Sequence, residues 1–268
     1  MNKKDLYKNI KKKRSYLCVG LDSDLNKIPK HLLKYDDPIF EFNKIIIDAT
    51  SDYVIAYKPN LAFYEYLGAS GFNSLKKTLD YIPQNIFKIA DAKRGDIGNT
   101  SEMYAKTYFE SLNFDAITLS PYMGYDSIQP YLKYKNKWVI LLALTSNQGS
   151  KDFQKHNNFF LEVINKSKEW VSDQNLMYVV GANNEKDIIK IRNLVPNHFL
   201  LVPGIGAQGG SLENISKLGF TRDCGLLVNN SRNIIYADSS ENFEIKINDK
   251  VKSIQVKMES LLKKYNLL

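Results

Sequence analysis

The chain has 268 residues, of which 44% are hydrophobic and 25% are charged, an ordinary balance for a globular protein. Its formal net charge is +8, but the lysines are dispersed, and the one dense basic cluster runs from Lys11 to Arg14. We expect that cluster to solvate the end of a helix rather than to bind nucleic acid. No run of about 18 apolar residues occurs, which excludes a membrane-spanning helix.

The cysteines and the amino-terminal segment bear on the compartment. Cys18 and Cys224 lie in apolar runs without the spacing of metal ligands, so we expect both thiols to be buried and reduced. The lysine-rich amino-terminal segment lacks the apolar stretch of a secretory signal. We therefore expect a cytoplasmic protein.

Short apolar runs alternate with amphipathic stretches of helical length from one end of the chain to the other. The predicted strands are 16–21, 53–57, 86–90, 116–119, 138–144, 177–180, 199–202 and 225–228. The predicted helices between and after them include 40–50, 74–81, 100–112, 158–171, 185–195 and 250–265. No linker or shift in composition marks a boundary, so we expect a single domain over residues 1–268.

Polar or glycine-bearing segments follow nearly every predicted strand. They include Asp22, Lys58, Asn60, Asp91, Lys93, Thr145, Ser146, the segment 203–210 and Arg232. Functional groups collected at many strand ends are typical of a (β/α)8 TIM barrel, whereas an open doubly wound sheet concentrates them at one switch point. This distribution favours the α/β barrel.

The segment after the third strand carries the strongest functional signal. Asp91 and Lys93 are two residues apart, so on a regular strand they face the same side, roughly 6.5 Å apart along it. Asp96 adds a third charge in the following loop. Such a cluster can hold a lysine ready to donate a proton, but structural ion pairs also have this pattern. Spacing alone leaves both interpretations open.

Five motifs follow one another along the chain: GLD at 20–22, YKPN at 57–60, DAKRGDIGNTSEMYA at 91–105, VPGIGAQ at 202–208 and NNSR at 229–232. In type and in order, over roughly residues 15–240, they resemble the motifs of the orotidine 5′-phosphate decarboxylase family, in its longer bacterial and protozoan branch. The resemblance implies a carbon–carbon lyase of de novo pyrimidine synthesis, without metal or cofactor, that converts orotidine 5′-monophosphate to uridine 5′-monophosphate.

The resemblance also implies roles for the charged cluster. Asp91 lies against the substrate carboxylate, and Lys93 protonates the carbanion left at C6. Asp96, Ile97 and Thr100 match residues that reach into the partner's site, which implies a homodimer.

The other strand ends match binding residues of the family. Lys58 and Asp22 match contacts to the ribose hydroxyls, with Lys58 completing the charged array and Asn60 beside it. Ser146, after Thr145, matches the group that contacts the pyrimidine amide edge, although a hydroxyl bonded to its own backbone is an equal alternative. Pro203 and Ile97 line the pocket for departing carbon dioxide.

The glycine-rich segment after the seventh strand suggests a phosphate site. Gly204 and Gly206 let backbone amides approach an oxyanion ahead of a helix that starts near Ser211, and Arg232 offers a bidentate fork. By resemblance, Gln208 closes over the phosphate. Ser231 stands where many relatives have glycine, and its hydroxyl could still donate to the phosphate.

Two other functions stay open on the sequence. One is another phosphate-binding barrel, such as a metal-dependent sugar-phosphate decarboxylase or epimerase. The other is a non-catalytic protein that binds nucleotides or nucleic acid, although basic and aromatic residues are not clustered as on a stacking surface. The three histidines match no part of the predicted site, and we expect surface or hydrogen-bonded structural roles for them.

Overall fold

Eight parallel strands form a closed barrel in a computed structural model, which describes residues 1–205 and 210–268. The strands are β1 (Leu17–Leu21), β2 (Ala56–Pro59), β3 (Phe87–Arg94), β4 (Ala116–Leu119), β5 (Trp138–Leu144), β6 (Leu176–Val180), β7 (Phe199–Pro203) and β8 (Leu226–Asn230). Each strand pairs with its neighbour in sequence, and β8 closes the barrel on β1, where Cys18 lies opposite Asn229. The prediction of a barrel rather than an open sheet is confirmed.

Helices cover the barrel between successive strands. They are α1 (Lys3–Lys13), α2 (Pro38–Thr50), α3 (Ala62–Glu65), α4 (Ala69–Tyr81), α5 (Gly98–Lys106), α6 (Tyr125–Leu132), α7 (Phe159–Ser167), α8 (Glu185–Leu194), α9 (Leu212–Gly219), α10 (Arg232–Ile235) and α11 (Phe243–Lys264). A π-helical turn, Thr107–Ser111, continues α5. Ser211 caps α9 by accepting from the Asn214 amide, as the predicted helix start requires.

Helices α1, α3, α6 and α10 have no counterpart among the predicted ranges, and for α1 and α6 the reason is physical. The apolar face of α1 is narrow, since Leu6 and Ile10 are its only buried apolar residues. Pro130 lies inside α6, where proline normally breaks a helix. The lysine cluster does lie in the last turn of α1, where cations favour the helix dipole.

The strands are buried on both faces because helices cover the outside and packed side chains fill the inside. Phe87, Trp138 and Phe199 begin alternate strands and meet edge-to-face, with centroids 6.0 and 6.5 Å apart, as one layer of the barrel interior. The Trp138 indole donates to the Met1 carbonyl (2.8 Å), and Lys3 donates to Asp173 (2.5 Å). The amino-terminal segment thus covers the end of the barrel at which the strands begin, which we call the lower end.

Both cysteine thiols are buried and free, as predicted, and burial raises the pKa of each to about 12. The thiols are therefore protonated at neutral pH, as inert core groups are. Within the described ranges, no helix combines the length and apolar character that crossing a bilayer requires.

His198 differs from the expectation of a surface or hydrogen-bonded histidine. Its ring packs beside Tyr178, and both ring nitrogens are buried without a partner in the described part of the chain. Burial lowers its pKa to about 4. The charged groups around it are Asp173, which opposes the shift, and Lys3, Arg192 and Lys168, which add to it.

We expect His198 to make the fold less stable in acid. The pKa of histidine in an unfolded chain is about 6.5. As pH falls from about 6.5 toward about 4, His198 therefore binds a proton in the unfolded state but not in the folded state, which favours unfolding. Allowing for partial solvent access, this removes about 2 kcal/mol from the free energy of unfolding. Between pH 7 and 4.5, the free energy of unfolding of His198→Phe, measured by urea denaturation, should fall by about 2 kcal/mol less than that of the unaltered protein. His156→Phe, at an exposed site, is the control. An unchanged pH dependence in His198→Phe would contradict this origin.

Candidate active site

A cavity of about 180 Å³ opens where β1, β2, β3, β7 and β8 end. Six residues predicted for the site line it: Asp22, Lys58, Asp91, Pro203, Gly204 and Arg232. The carboxyl ends of parallel strands meet at one end of a barrel, so residues far apart in sequence converge there.

A carboxylate between two ammonium groups forms the centre of the charged cluster. Asp91 Oδ2 lies 2.5 Å from Lys58 Nζ, and Asp91 Oδ1 lies 2.5 Å from Lys93 Nζ. The Asp91 and Lys58 side chains are 10% and 7% exposed, whereas the Lys93 side chain is 51% exposed. One ammonium is therefore fixed in the barrel wall, and the other reaches solvent.

This pairing keeps the buried groups charged. Burial alone would raise the pKa of Asp91, but Lys58 and Lys93 outweigh it and hold that pKa well below its usual range. Burial alone would lower the pKa of Lys58, but Asp91 and Asp22 outweigh it and hold that pKa above its ordinary value. The array therefore presents fixed charges at neutral pH.

The backbone at Lys93 departs from the regular strand assumed from the sequence. Its φ is +48°, in the left-handed region, and the β3–β4 register shifts between Ala90 and Arg94. The alternation of side chains along a regular strand therefore does not explain why Lys93 contacts Asp91. A local kink in the backbone brings the two side chains together. A non-glycine residue in this conformation needs support from its surroundings.

Thr118 on β4 supplies that support. Its buried hydroxyl accepts hydrogen bonds from the Ala92 amide (3.0 Å) and the Lys93 amide (2.9 Å). Its own proton lies within reach of Asp91 Oδ1 (3.3 Å). The sequence prediction missed Thr118, because a threonine inside an apolar strand is usually a packing residue.

Asp22 and Asn60 lie at the rim of the array. Asp22 Oδ1 is buried without a partner among the described residues, and the Tyr236 hydroxyl donates to the Asp22 carbonyl (2.8 Å). Asn60 pairs with Asp91 through a backbone bridge, and its side-chain oxygen accepts weakly from the Ala62 amide (3.4 Å). Asn60 thus contacts the array through its backbone rather than its side chain.

Pro203, Gly204 and Ile205, at the start of the predicted phosphate segment, line the same cavity as Lys58 and Asp91. Gly204 has φ +98°, a conformation that glycine adopts without strain. Ile205 and Gly210 form a bridge, while Gly206 and Gln208 lie outside the described residues. Arg232, at the start of α10, is exposed beside the cavity.

Seven predicted residues in the described part of the chain do not line this cavity. Lys93 and Asn60 nevertheless contact Asp91, Lys93 through its side chain and Asn60 through its backbone.

The other five lie away from the charged array. Ile97 and Thr100 are exposed, and the Asp96 carboxylate accepts from the Ile97 amide (2.8 Å). The Thr145 hydroxyl donates to Asn147 (2.5 Å), and the Ser146 carbonyl accepts from Asn183 (2.9 Å). These groups border the mouth of the barrel without joining the charged array.

Asn229 and Ser231 also line the cavity. The sequence raised Ser231 as a possible donor to the phosphate, but Asn229 was not predicted as a site residue. Asn229 is a polar residue at the end of an apolar run, the one sequence signal that could have found it. In the described ranges, no three His, Cys, Asp or Glu side chains converge as metal ligands would.

Comparison with known proteins identifies the family. The model of the orotidine 5′-phosphate decarboxylase / HUMPS family matches residues 15–242. The orotidine 5′-phosphate decarboxylase of Phocaeicola vulgatus is 58% identical over 98% of this chain and 99% of its own length. The chain belongs to the orotidine 5′-phosphate decarboxylase / HUMPS family.

Solved structures of this family share the fold. The OMP decarboxylase of Leishmania donovani matches with a TM-score of 0.80 and 35% identity, over 96% of this chain and 99% of its own. The UMP synthase of the same organism matches with a TM-score of 0.82 and 37% identity, over 94% of this chain. The present chain spans 56% of that synthase. The family resemblance inferred from the motifs is confirmed.

Replacing the Thr118 hydroxyl should destabilise the kink at Lys93. Thr118→Val keeps the shape but leaves two backbone amides without their acceptor, at a cost of about 2 kcal/mol in the free energy of unfolding. Thr118→Ser keeps the hydroxyl and should retain most of the stability. Urea denaturation of the three proteins measures the difference. A valine variant within about 0.5 kcal/mol of the unaltered protein would show that the hydroxyl does not support the kink.

Proposed function

We propose that this chain decarboxylates orotidine 5′-monophosphate to uridine 5′-monophosphate, and that Lys93 supplies the proton. The observation that carries the proposal is the Lys58–Asp91–Lys93 array at the mouth of the barrel, across a cavity from Arg232. A pyrimidine ring at the array and a phosphate at Arg232 account for both ends of that cavity. Membership of the family supports the same substrate.

The charges suit the loss of carbon dioxide from C6. When the bond to the carboxylate breaks, its electron pair stays on C6, beside the Lys93 ammonium. Lys93 transfers a proton to that carbon and regains one from solvent, which its half-exposed side chain can reach. Fixed charges that need no reorganisation during the reaction stabilise such a transition state.

Asp91 has two roles in this proposal. Its carboxylate orients both lysines, and its negative charge lies where the substrate carboxylate would bind, so loss of carbon dioxide relieves a repulsion. The depressed pKa of Asp91 means that this charge persists at neutral pH. In this proposal Lys58 and Asp22, which line the cavity, contact the ribose hydroxyls, and Asn60 supports the array through its backbone.

The remaining predicted residues complete the proposed substrate site. Arg232 binds the phosphate with Gly204, Gly206 and Gln208, and Pro203 with Ile97 borders the exit of carbon dioxide. Thr145 and Ser146 contact the pyrimidine amide edge once the substrate bridges the barrel mouth. Phosphate binding far from C6 supplies energy for closing the site around the reacting group.

Replacing Lys93 tests its role as the acid. Lys93→Ala should lower kcat by at least about 10³, because a positioned proton donor and a charge beside the carbanion are lost together. Lys88→Ala, on the same strand outside the cavity, is the matched control. Loss of orotidylate absorbance measures turnover. Near-normal turnover by Lys93→Ala would overturn the assignment.

The metal-dependent alternative predicts a different response. A sugar-phosphate decarboxylase or epimerase of this fold would lose its activity on exhaustive chelation. We propose a reaction without metal or cofactor, so orotidylate turnover should persist at its full rate after the same treatment. Loss of turnover, with recovery on adding a divalent cation, would favour the alternative.

We further propose a homodimer in which Asp96, Ile97 and Thr100 reach the partner's site. Several exposed large apolar side chains follow β3, β4 and β5 in the sequence. They are Ile97, Met103, Tyr122, Met123, Tyr125, Phe153 and Phe159. Tyr122, Phe153 and Phe159 line one apolar depression of about 330 Å³. Exposed apolar side chains that line one depression commonly mark a protein interface.

Mixing two inactive variants tests the shared site. Lys93→Ala and Asp96→Ala should each be inactive, but a mixed dimer contains one site with neither change. Random reassembly should therefore restore about a quarter of full activity. As a control, the Lys93→Ala/Asp96→Ala double variant mixed with Asp96→Ala should restore none. No recovery in the first mixture, with dimers present by light scattering, would exclude shared sites.

The wider setting is also a proposal. We propose that the barrel is the single domain of the chain and that it acts in the cytoplasm, which suits its two free thiols. Its partners are then the nucleotide substrate and a second copy of itself, with neither nucleic acid nor membrane involved.

A further inference from the structure

Asn229 occupies the seam where the barrel closes. It lies at the end of β8, in register with Pro203 of β7 on one side and Cys18 of β1 on the other. Its side chain lines the cavity, and the residue is 7% exposed. An amide this deeply buried ordinarily has partners for both of its polar atoms.

Only one end of this amide has a partner. Asn229 Nδ2 donates to Ser231 Oγ (3.2 Å), whereas Asn229 Oδ1 has no partner within residues 1–205 and 210–268. Asp22 Oδ1 is unpartnered within the same ranges and lines the same cavity. Buried acceptors that have no donor among the described residues are costly, so these two indicate a ligand that brings donors.

The chemistry of a nucleotide decides which of its groups these acceptors fit. A phosphate dianion has only acceptors, so it cannot satisfy Asn229 Oδ1 or Asp22 Oδ1. The ribose carries two neighbouring hydroxyls, each with one proton to donate. Two acceptors in the lining of one cavity therefore match the ribose diol.

Ser231, in contrast to Asn229 Oδ1, can donate a hydrogen bond to the ligand. Because its oxygen accepts from Asn229 Nδ2, its own proton is free to point at an acceptor. It precedes Arg232, the residue placed to bind phosphate. A Cβ at Gly20 would lie 1.9 Å from Ser231 Oγ, so the glycine of β1 provides the space that the serine occupies.

We propose that Asn229 is a substrate-binding residue that joins the two ends of the nucleotide site. Its carbonyl oxygen accepts a hydrogen bond from a ribose hydroxyl, and its amide orients Ser231 so that the serine hydroxyl donates to the phosphate. This inference rests on the proposed function, since it takes a ribonucleotide as the ligand. It adds a ribose and phosphate contact on β8 to those assigned to Lys58, Asp22 and Arg232.

Calorimetric titration with product analogues tests the proposal without turnover. The probes are uridine 5′-monophosphate and its 2′-deoxy and 3′-deoxy forms. The unaltered protein should bind one deoxy form about fivefold more weakly, the size of one lost hydrogen bond. Asn229→Leu should bind the parent nucleotide at least about fivefold more weakly, because the ribose contact is lost and Ser231 is no longer oriented, and it should no longer distinguish the parent from that deoxy form.

Two further variants separate the two halves of the role. Asn229→Asp keeps an acceptor, so it should still distinguish the same deoxy form even if its added charge weakens all three ligands equally. Ser231→Ala should weaken all three ligands by a common factor of about five, since each carries the phosphate. Thermal unfolding of each variant shows that the fold is intact.

The outcomes divide clearly. If Asn229→Leu and the unaltered protein discriminate between the three nucleotides to the same extent, Asn229 does not contact the ribose and the inference fails. If Ser231→Ala binds all three as tightly as the unaltered protein, the phosphate half fails. Failure of the unaltered protein to bind uridine 5′-monophosphate would overturn the proposed function together with this inference. Normal binding with unchanged discrimination would overturn the inference alone.

Discussion

The Asp91 carboxylate between two ammonium groups is the interaction on which the rest of the site depends. Removing charges from water costs several kcal/mol per ion, and an isolated carboxylate at this depth would be protonated instead. Contacts of 2.5 Å to both Lys58 and Lys93 offset that cost and keep the carboxylate ionised. Neighbouring strands β2 and β3 fix the distance between Lys58 and Asp91, so the electrostatics of the site follow directly from the barrel.

Closure of the barrel brings the other half of the site to the same place. Because β8 pairs with β1, Asn229 and Arg232 stand near Asp22, although about 200 residues separate them in sequence. In an open doubly wound sheet the first strand lies inside the sheet between other strands and does not pair with the last strand. The amino-terminal segment covers the lower end of the barrel, and the polar groups collect at the upper end. The lower end therefore contributes to stability and the upper end carries the functional groups, as is general for this fold.

Much of the fold and of the charged array could be predicted from the sequence, because short apolar runs with polar ends are a local signal. Strands β4 and β5 have the bounds that the sequence predicts, and β1 differs by one residue. The kink at Lys93 could not be predicted, since it depends on a hydroxyl from the neighbouring strand. Asn229 could not be predicted for a similar reason. That its Oδ1 atom has no partner among the described residues can be seen only in the folded structure.

The most direct measurement is to mix purified, metal-stripped protein with orotidine 5′-monophosphate in D2O and to follow both absorbance and product mass. A lysine ammonium exchanges its protons with solvent, so the account predicts loss of orotidylate absorbance and uridine 5′-monophosphate that carries one deuterium at C6. Unchanged absorbance at an enzyme concentration equal to that of the nucleotide would contradict the account. It would show that a charged array in a phosphate-binding barrel is not sufficient for this reaction.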